Sequence, residues 1–187
     1  GNVQRLMYVH VPAAWLAFLA FFVVFLMSVL YLIQRDVRWD RVAAASAEIG
    51  VVFTVLTLLL GMMWGKPTWG VWWTWDPRLT TTAILLAIYV GYLALRSFAD
   101  DEDKRARWAA IVGIIGFANV PIVYMSVTWW RTLHQPPSSP RSVSSEILWT
   151  LLLNVAAFSL VYVYLMVRRI RLEKLEGELE KRMAYNA

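Results

Sequence analysis

The chain contains only two histidines, His10 and His134, and each stands beside a long apolar run. His10 precedes Pro12 near the start of the first run, and His134 follows the fourth run within segment 129–137. A neutral imidazole is a common metal ligand, although a lone histidine near a membrane surface more often makes hydrogen bonds. Because the chain has no cysteine, disulfides and thiolate metal sites are excluded. The two histidines are therefore candidate metal ligands if the fold brings them together.

A tryptophan-rich segment lies between the second and third apolar runs. Five of the 11 tryptophans fall within 12 residues: Trp64, Trp69, Trp72, Trp73 and Trp75. One or two tryptophans anchor a protein at the headgroup level, but five exceed that need. If residues 68–75 are helical, Trp69, Trp72 and Trp73 share one face. This pattern predicts a short interfacial helix whose rings stack on a flat conjugated ligand, with plain interfacial anchoring as the alternative.

Charged residues flank this segment. Asp76 before Pro77 is typical of a helix start, where the carboxylate caps free amides and proline occupies the first turn. We therefore expect Asp76 to be a cap first and a ligand contact second. Four cations nearby are headgroup contacts or partners for ligand carboxylates: Lys66, Arg78, Arg131 and Arg141.

Five apolar segments must position these residues. The 187-residue chain is 59% hydrophobic and 17% charged, whereas soluble domains are about 45–50% apolar and about 25% charged. Its charge-free runs are 17 to 23 residues long, which matches the roughly 17–25 residues of a membrane-spanning helix. The sequence predicts an all-α polytopic membrane helix bundle with spans at 11–33, 43–64, 79–95, 108–130 and 147–167, a tryptophan-rich platform at 64–80 and a charged helical tail at 168–187.

The charge distribution predicts the orientation. Of the 18 Lys and Arg residues, 13 fall between spans one and two, between spans three and four, or in the tail. Because loops rich in Lys and Arg stay in the cytoplasm, the tail should lie inside and segments 1–10, 65–78 and 131–146 outside. The net charge of +5 is then a topology signal and gives no indication of nucleic-acid binding. An outward N-terminal end also leads us to expect a preceding sixth span.

Polar residues and glycines inside the spans are few. Glu48 is a candidate functional carboxylate, or else it snorkels toward the cytoplasmic face or accepts hydrogen bonds from Ser46 and neighbouring helices. Asn119 and Pro121 should interrupt the fourth span. Gly113 and Gly116 should allow a neighbouring helix to approach closely.

Both histidines and the tryptophan-rich segment are thus predicted at one membrane face. Two imidazoles, a flat aromatic surface and cations together fit haem, which offers two axial positions, an apolar ring and two propionates. We therefore predict that His10 and His134 are axial ligands of a haem iron. Arg131, three residues before His134, is the expected propionate contact.

The string Trp-Gly-x-Pro-x-Trp-Gly-x-x-Trp-x-Trp-Asp-x-Arg-Leu-Thr runs from Trp64 to Thr80. It is very similar to the tryptophan-rich WWD signature of the haem-handling proteins of cytochrome c biogenesis. With one histidine before it and one after it, the whole chain resembles the haem exporter protein C family (CcmC) of the cytochrome c maturation system. Members of that family have six helices, whereas five are present here.

This resemblance implies haem delivery rather than an enzyme with redox chemistry of its own. Haem b would be a transient cargo held at the periplasmic face of the bacterial inner membrane, with the C-terminus in the cytoplasm. It would be presented to a membrane-anchored haem chaperone, which becomes covalently linked to it. The other implied partners are the ATPase and membrane subunits of an ABC transporter, a small single-span protein and the lipid bilayer. His10 and His134 carry over as axial ligands, and the tryptophan-rich segment as the haem and chaperone platform.

Two other classes of function remain open. A cytochrome b-like electron-transfer subunit normally buries its histidines deep in the bundle, and crossing the membrane would require a further cofactor. A channel-type transporter subunit should carry broken helices or polar groups near the midplane, for which Glu48, Asn119 and Pro121 are thin support.

Overall fold

The computed structural model describes residues 2–98, 101–136 and 143–186, and within these ranges it contains helices and no strand. The helices are α1 (Asn2–Arg5), α2 (Met7–Gln34), α3 (Val37–Trp69), α4 (Pro77–Phe98), α5 (Glu102–Phe117), α6 (Asn119–Trp129) and α7 (Ser145–Asn186). Five helical stretches are long and apolar enough to cross a membrane: Val3–Gln34, Val37–Trp69, Pro77–Phe98, Glu102–Trp129 and Ser145–Leu179. The predicted all-α polytopic bundle is confirmed.

Helix α2 is the centre of the bundle and packs against α3, α5 and α7. Small residues on its buried face, such as Ala13, Ala17 and Ala20, let α3 approach closely. At this crossing a Cβ on Gly50 would lie 2.6 Å from a ring carbon of Phe21. The same Phe21 stacks on Tyr89 of α4 with ring centres 3.7 Å apart. Close packing around α2 therefore fixes the helices whose ends carry the candidate site.

The tryptophan-rich segment is not a separate helix, so the predicted interfacial helix over 68–75 is wrong. Helix α3 continues through Pro67 to Trp69 and ends at Gly70, whose φ of 80° is left-handed. Glycine adopts this conformation without a Cβ clash and commonly ends helices in this way. Residues 71–76 are then irregular until Asp76 caps α4. As a result, Trp69 and the later tryptophans do not share a helical face.

The fourth apolar segment is interrupted, as predicted. Helices α5 and α6 meet at Ala118, three residues before Pro121, whose missing N–H cannot bond the carbonyl of residue 117. The Asn119 side-chain amide donates to the carbonyl of Thr81 in α4 at 2.9 Å. A Cβ on Gly116 would lie 2.7 Å from Cγ2 of Ile88. The glycine and the asparagine thus hold the interrupted helix against α4.

The opposite end of the bundle carries ion pairs between helices. Arg96 of α4 forms a two-pronged contact with the buried Asp40 of α3, one bond being 2.8 Å long. Arg169 of α7 does the same with Glu48 of α3, at 2.9 Å for one of the two bonds. The Glu48 carboxylate therefore joins α3 to α7, which supports its structural interpretation rather than its functional one. Ser46, the other expected partner of Glu48, instead donates to the carbonyl of Ala20.

Candidate functional site

A cavity of about 570 Å³ opens among the beginning of α2, the end of α3 and the beginning of α4. Helix α6, the loop that follows it and Leu151 of α7 complete the wall. Sites for small molecules and cofactors are commonly about 300–1,000 Å³ in volume and mostly apolar. Five of the residues predicted from the sequence line this cavity: His10, Trp64, Trp69, Arg78 and His134.

The two histidines face each other across the cavity. His10 lies in the second turn of α2, and His134 lies on the loop after α6. Their ring centres are 6.4 Å apart, and the ring planes are inclined by 36°. A metal atom bound to one nitrogen of each ring, with bonds of about 2 Å, would separate the ring centres by roughly 6 Å. The observed spacing therefore fits joint ligation of one metal atom.

The ring nitrogens are also suited to ligation. Nδ1 of His10 is buried and has no hydrogen-bond partner among the described residues, which costs free energy unless a ligand binds there. The Nδ1–H of His134 donates to the carbonyl of Gln135 at 2.8 Å, so the lone pair of Nε2 is free. Burial, together with the positive charge of Arg78, lowers the pKa of His134 below its ordinary value. Both effects favour the neutral imidazole that binds metals.

Two imidazoles alone are too few for a typical protein site for a bare metal ion. In the described part of the chain, no group of three or more His, Cys, Asp or Glu side chains is close enough to hold one. A haem iron needs only axial ligands from the protein, because the porphyrin occupies its other coordination positions. The donor set therefore fits haem better than a free ion.

The five tryptophans fall into two groups. Trp64 meets His10 edge to face with ring centres 6.0 Å apart, and Trp69 lies 6.5 Å from His134. Trp72, Trp73 and Trp75 follow the end of α3 and are not in the cavity wall. Trp72 is 54% exposed and Trp75 79% exposed. We call these last three residues the outer tryptophans.

Asp76 has two structural roles. Its Oδ1 accepts from the backbone N–H of Arg78 at 2.9 Å, which confirms the predicted helix cap. The same carboxylate, only 5% exposed, also accepts from the Thr132 hydroxyl and the Leu133 amide. Asp76 itself is outside the cavity wall. It therefore joins the start of α4 to the loop that carries His134.

Of the three predicted cations that the structure describes, Arg78 reaches the cavity. Arg78 lines it, and its Nη1 donates to the carbonyls of Val123 and Tyr124 at 2.7 and 3.0 Å. Lys66 instead donates to the carbonyl of Gly70 at the end of α3. Arg131 is exposed and is not in the cavity wall. Arg141 lies outside the described residues.

Comparison with known proteins identifies the family of this chain. The family model for heme exporter protein C matches residues 1–185. The chain belongs to the heme exporter protein C family. A relative of that name from Bradyrhizobium diazoefficiens is 41% identical over 177 residues, which cover 92% of this chain and 67% of the relative. The Haemophilus influenzae protein is 37% identical over 97% of this chain and 75% of its own length. The Escherichia coli K12 protein is 43% identical over 72% of this chain and 55% of its own length.

In this heme exporter protein C family member, several residues of the site have no clear sequence signal. Thr57, Gly61 and Tyr124 line the cavity from inside predicted spans, where they resemble ordinary packing residues. Thr132 is different, because a threonine hydroxyl often accepts a hydrogen bond from the backbone N–H two residues later in the chain. The hydroxyl of Thr132 does accept from the backbone N–H of His134, at 3.0 Å. That local pattern could have singled out Thr132, but not its contact with Asp76.

Proposed function

We propose that this chain handles haem during cytochrome c maturation and holds haem b as a transient cargo between His10 and His134. The observation that carries this proposal is the pairing of the two imidazoles, with ring centres 6.4 Å apart, in the wall of one cavity. Family membership supports it, since the relatives are named heme exporter protein C. The site would face the periplasm from the bacterial inner membrane, as the charge distribution predicts.

Different side chains of the cavity would bind different parts of the haem. His10 and His134 would supply the axial nitrogens. Trp64 and Trp69, each close to one of the histidines, would cover the apolar ring and exclude water from it. Arg78 is a better candidate than Arg131 for a propionate, because Arg78 lines the cavity and Arg131 does not. A guanidinium has five N–H donors, so Arg78 can bind a carboxylate while Nη1 holds α6.

Delivery would use the outer tryptophans. These residues follow Trp69 of the cavity wall in the chain, but they do not line the cavity themselves. The rings of Trp73 and Trp75 pack edge to face, with ring centres 5.7 Å apart. Exposed tryptophans are common contact residues at protein interfaces. We propose that they receive the membrane-anchored haem chaperone, which takes the cargo and becomes covalently linked to it. The ABC transporter subunits and the small single-span protein would complete the assembly.

Two observations weigh against the alternative functions. The chain has two histidines in all, and both face the same cavity, so they provide one candidate haem site rather than the two that transmembrane electron transfer would use. The polar residues expected to line a transport path are engaged elsewhere, since Glu48 pairs with Arg169 and Asn119 bonds Thr81.

The proposal can be tested by following haem onto the chaperone. The chain, its transporter partners and the tagged chaperone would be produced together, and covalent haem on the purified chaperone would be detected in a denaturing gel. We expect labelled chaperone with the wild type and with the Lys66→Ala control, which alters an exposed residue on the same face. We expect none with His10→Ala or His134→Ala. Normal labelling in both histidine variants would contradict the proposal.

A further inference from the structure

The position of His134 depends on a loop with little regular structure. Helix α6 ends at Trp129, and residues 130–136 are not helical. An axial ligand has to be held accurately, and outer-shell hydrogen bonds usually do this for metal-binding histidines. The contacts that fix the loop backbone next to His134 therefore determine where its imidazole lies.

Hydrogen bonds through Thr132 link His134 to Asp76, and a further one joins the neighbouring Leu133 to the same carboxylate. The backbone N–H of His134 donates to the Thr132 hydroxyl at 3.0 Å. That hydroxyl lies 2.8 Å from both carboxylate oxygens of Asp76. The backbone N–H of Leu133 donates to Oδ2 of Asp76 at 2.7 Å. The carboxylate thus anchors two consecutive residues directly and the histidine through one hydroxyl.

The chemistry of the groups allows only one direction for this chain of hydrogen bonds. An ionised carboxylate only accepts and a backbone N–H only donates, whereas a hydroxyl does both. Thr132 must therefore give its single proton to Asp76 and receive the bond from His134. Both carboxylate oxygens are needed, since Oδ1 holds the Arg78 amide and Oδ2 holds the Leu133 amide.

We propose that Asp76 and Thr132 are positioning residues that hold His134 at the distance from His10 required for joint ligation. This inference rests on the proposed function, because it assumes that His134 binds the haem iron. It also gives the aspartate of the tryptophan-rich signature a specific role, since its carboxylate sets the geometry of a ligand 58 residues later in the chain. Neither residue lines the cavity, so each would act through the loop backbone.

The test uses the optical spectrum of the purified, haem-loaded protein, which distinguishes six-coordinate low-spin from five-coordinate high-spin iron. Thr132→Val removes both hydrogen bonds at nearly constant volume, whereas Thr132→Ser keeps them. We expect the valine variant to lose low-spin haem and to retain haem about 10- to 100-fold less well. We expect the serine variant to restore the wild-type spectrum, and added imidazole to restore low-spin haem in the valine variant.

Matched controls separate positioning from general damage. Thr128→Val removes a hydroxyl whose hydrogen bond among the described residues is to the Met125 carbonyl within α6, and it should leave the spectrum unchanged. Asp76→Asn should resemble Thr132→Val, because an amide has one acceptor oxygen where two are used. If Thr132→Val cannot be purified, Thr132→Ala is assessed in the same way, since it removes the hydroxyl without adding bulk.

The outcomes distinguish this inference from the proposed function. A wild-type spectrum in Thr132→Val or Thr132→Ala, with low-spin haem lost in His134→Ala, would overturn the positioning role alone. A His134→Ala variant that keeps the wild-type spectrum would overturn the ligand assignment, and the positioning role with it. Loss of low-spin haem in Thr132→Ser as well as Thr132→Val would also contradict the inference, since serine preserves the hydroxyl.

Discussion

The His10 ring lies against Gly61 of α3, where the Cβ of any other residue would sit 3.3 Å from Cε1 of the imidazole. That contact is tighter than nine in ten real Cβ contacts, so a side chain at position 61 would require the ring to shift by a few tenths of an ångström. Since both residues line the cavity, Gly61 limits how close the His10 ring can lie to α3.

Replacing Gly61 should disturb the site without unfolding the bundle. We expect Gly61→Val to push the His10 ring aside and to lower haem retention by about tenfold or more. Gly91→Val is the matched control, because position 91 is also helical and a Cβ there meets nothing within 4 Å. Haem content per purified protein, measured for both variants, checks this. Equal losses in the two variants would show that valine in a helix, rather than contact with His10, causes the effect.

The two groups of tryptophans should separate haem binding from haem delivery. Replacing Trp72, Trp73 and Trp75 together with alanine should leave the haem spectrum unchanged and reduce chaperone labelling, because these rings lie outside the cavity wall. Replacing Trp64 and Trp69 should instead reduce haem retention, since both rings line it. The measurements are the optical spectrum and the denaturing gel. Normal chaperone labelling by the triple variant would remove the docking role.

Arg78 and Arg131 can be compared directly as propionate partners. A hydrogen bond to a charged group contributes about 1.5–3 kcal/mol, so Arg78→Gln should weaken haem retention roughly ten- to hundredfold. Arg131→Gln should have a much smaller effect, because that side chain is exposed and away from the cavity wall. Competition for haem against a soluble haem-binding protein would measure both. A larger loss in Arg131→Gln would restore the assignment expected from sequence spacing.

The ion pairs at the opposite end of the bundle should affect the stability of the protein rather than its binding of haem. The Asp40 and Arg96 side chains are only 4% and 13% exposed, so Arg96→Met leaves a buried carboxylate unpaired and should cost about 3–5 kcal/mol of unfolding free energy. Glu48 and Arg169 are 40% and 32% exposed, so Arg169→Met should cost less than Arg96→Met, because the carboxylate that it leaves unpaired is less buried. Thermal unfolding in detergent measures both. A larger destabilisation by Arg169→Met would contradict this ranking.

Glu48 itself provides a test of the transporter alternative. Because its carboxylate is paired with Arg169, we expect Glu48→Gln to leave haem retention and chaperone labelling unchanged. A proton or substrate pathway that used this carboxylate would stop when the charge is removed. Loss of chaperone labelling in Glu48→Gln, with the protein still folded and haem-loaded, would assign Glu48 a functional role.

Much of the bundle could be predicted from local properties of the sequence. Charge-free runs of spanning length predicted the five apolar helices, and Asp76 before Pro77 predicted the start of α4. The short interfacial helix was wrong because the helical spacing of Trp69, Trp72 and Trp73 runs across Gly70, where α3 ends. The left-handed backbone of that glycine divides the pattern, and of the five tryptophans in the segment Trp64 and Trp69 line the cavity.

The site was harder to predict than the helices, because its contacts join residues distant in the chain. The expectation that His10 and His134 share one membrane face followed from charge alone, but charge has no bearing on their distance. No periodic pattern in the sequence indicates the contact between Asp76 and Thr132, because it depends on how α6 is held against α4. Spacing along the chain favoured Arg131 as a cavity residue, whereas the irregular loop turns that side chain outward and α4 places Arg78 in the wall.

The most direct test of the central claim is the optical spectrum of the haem-loaded protein with each histidine replaced in turn. We predict six-coordinate low-spin haem in the wild type, loss of that spectrum in both His10→Ala and His134→Ala, and its return in each variant when imidazole is added. A variant of either histidine that keeps the wild-type spectrum without added imidazole would contradict joint ligation of the iron by the two residues.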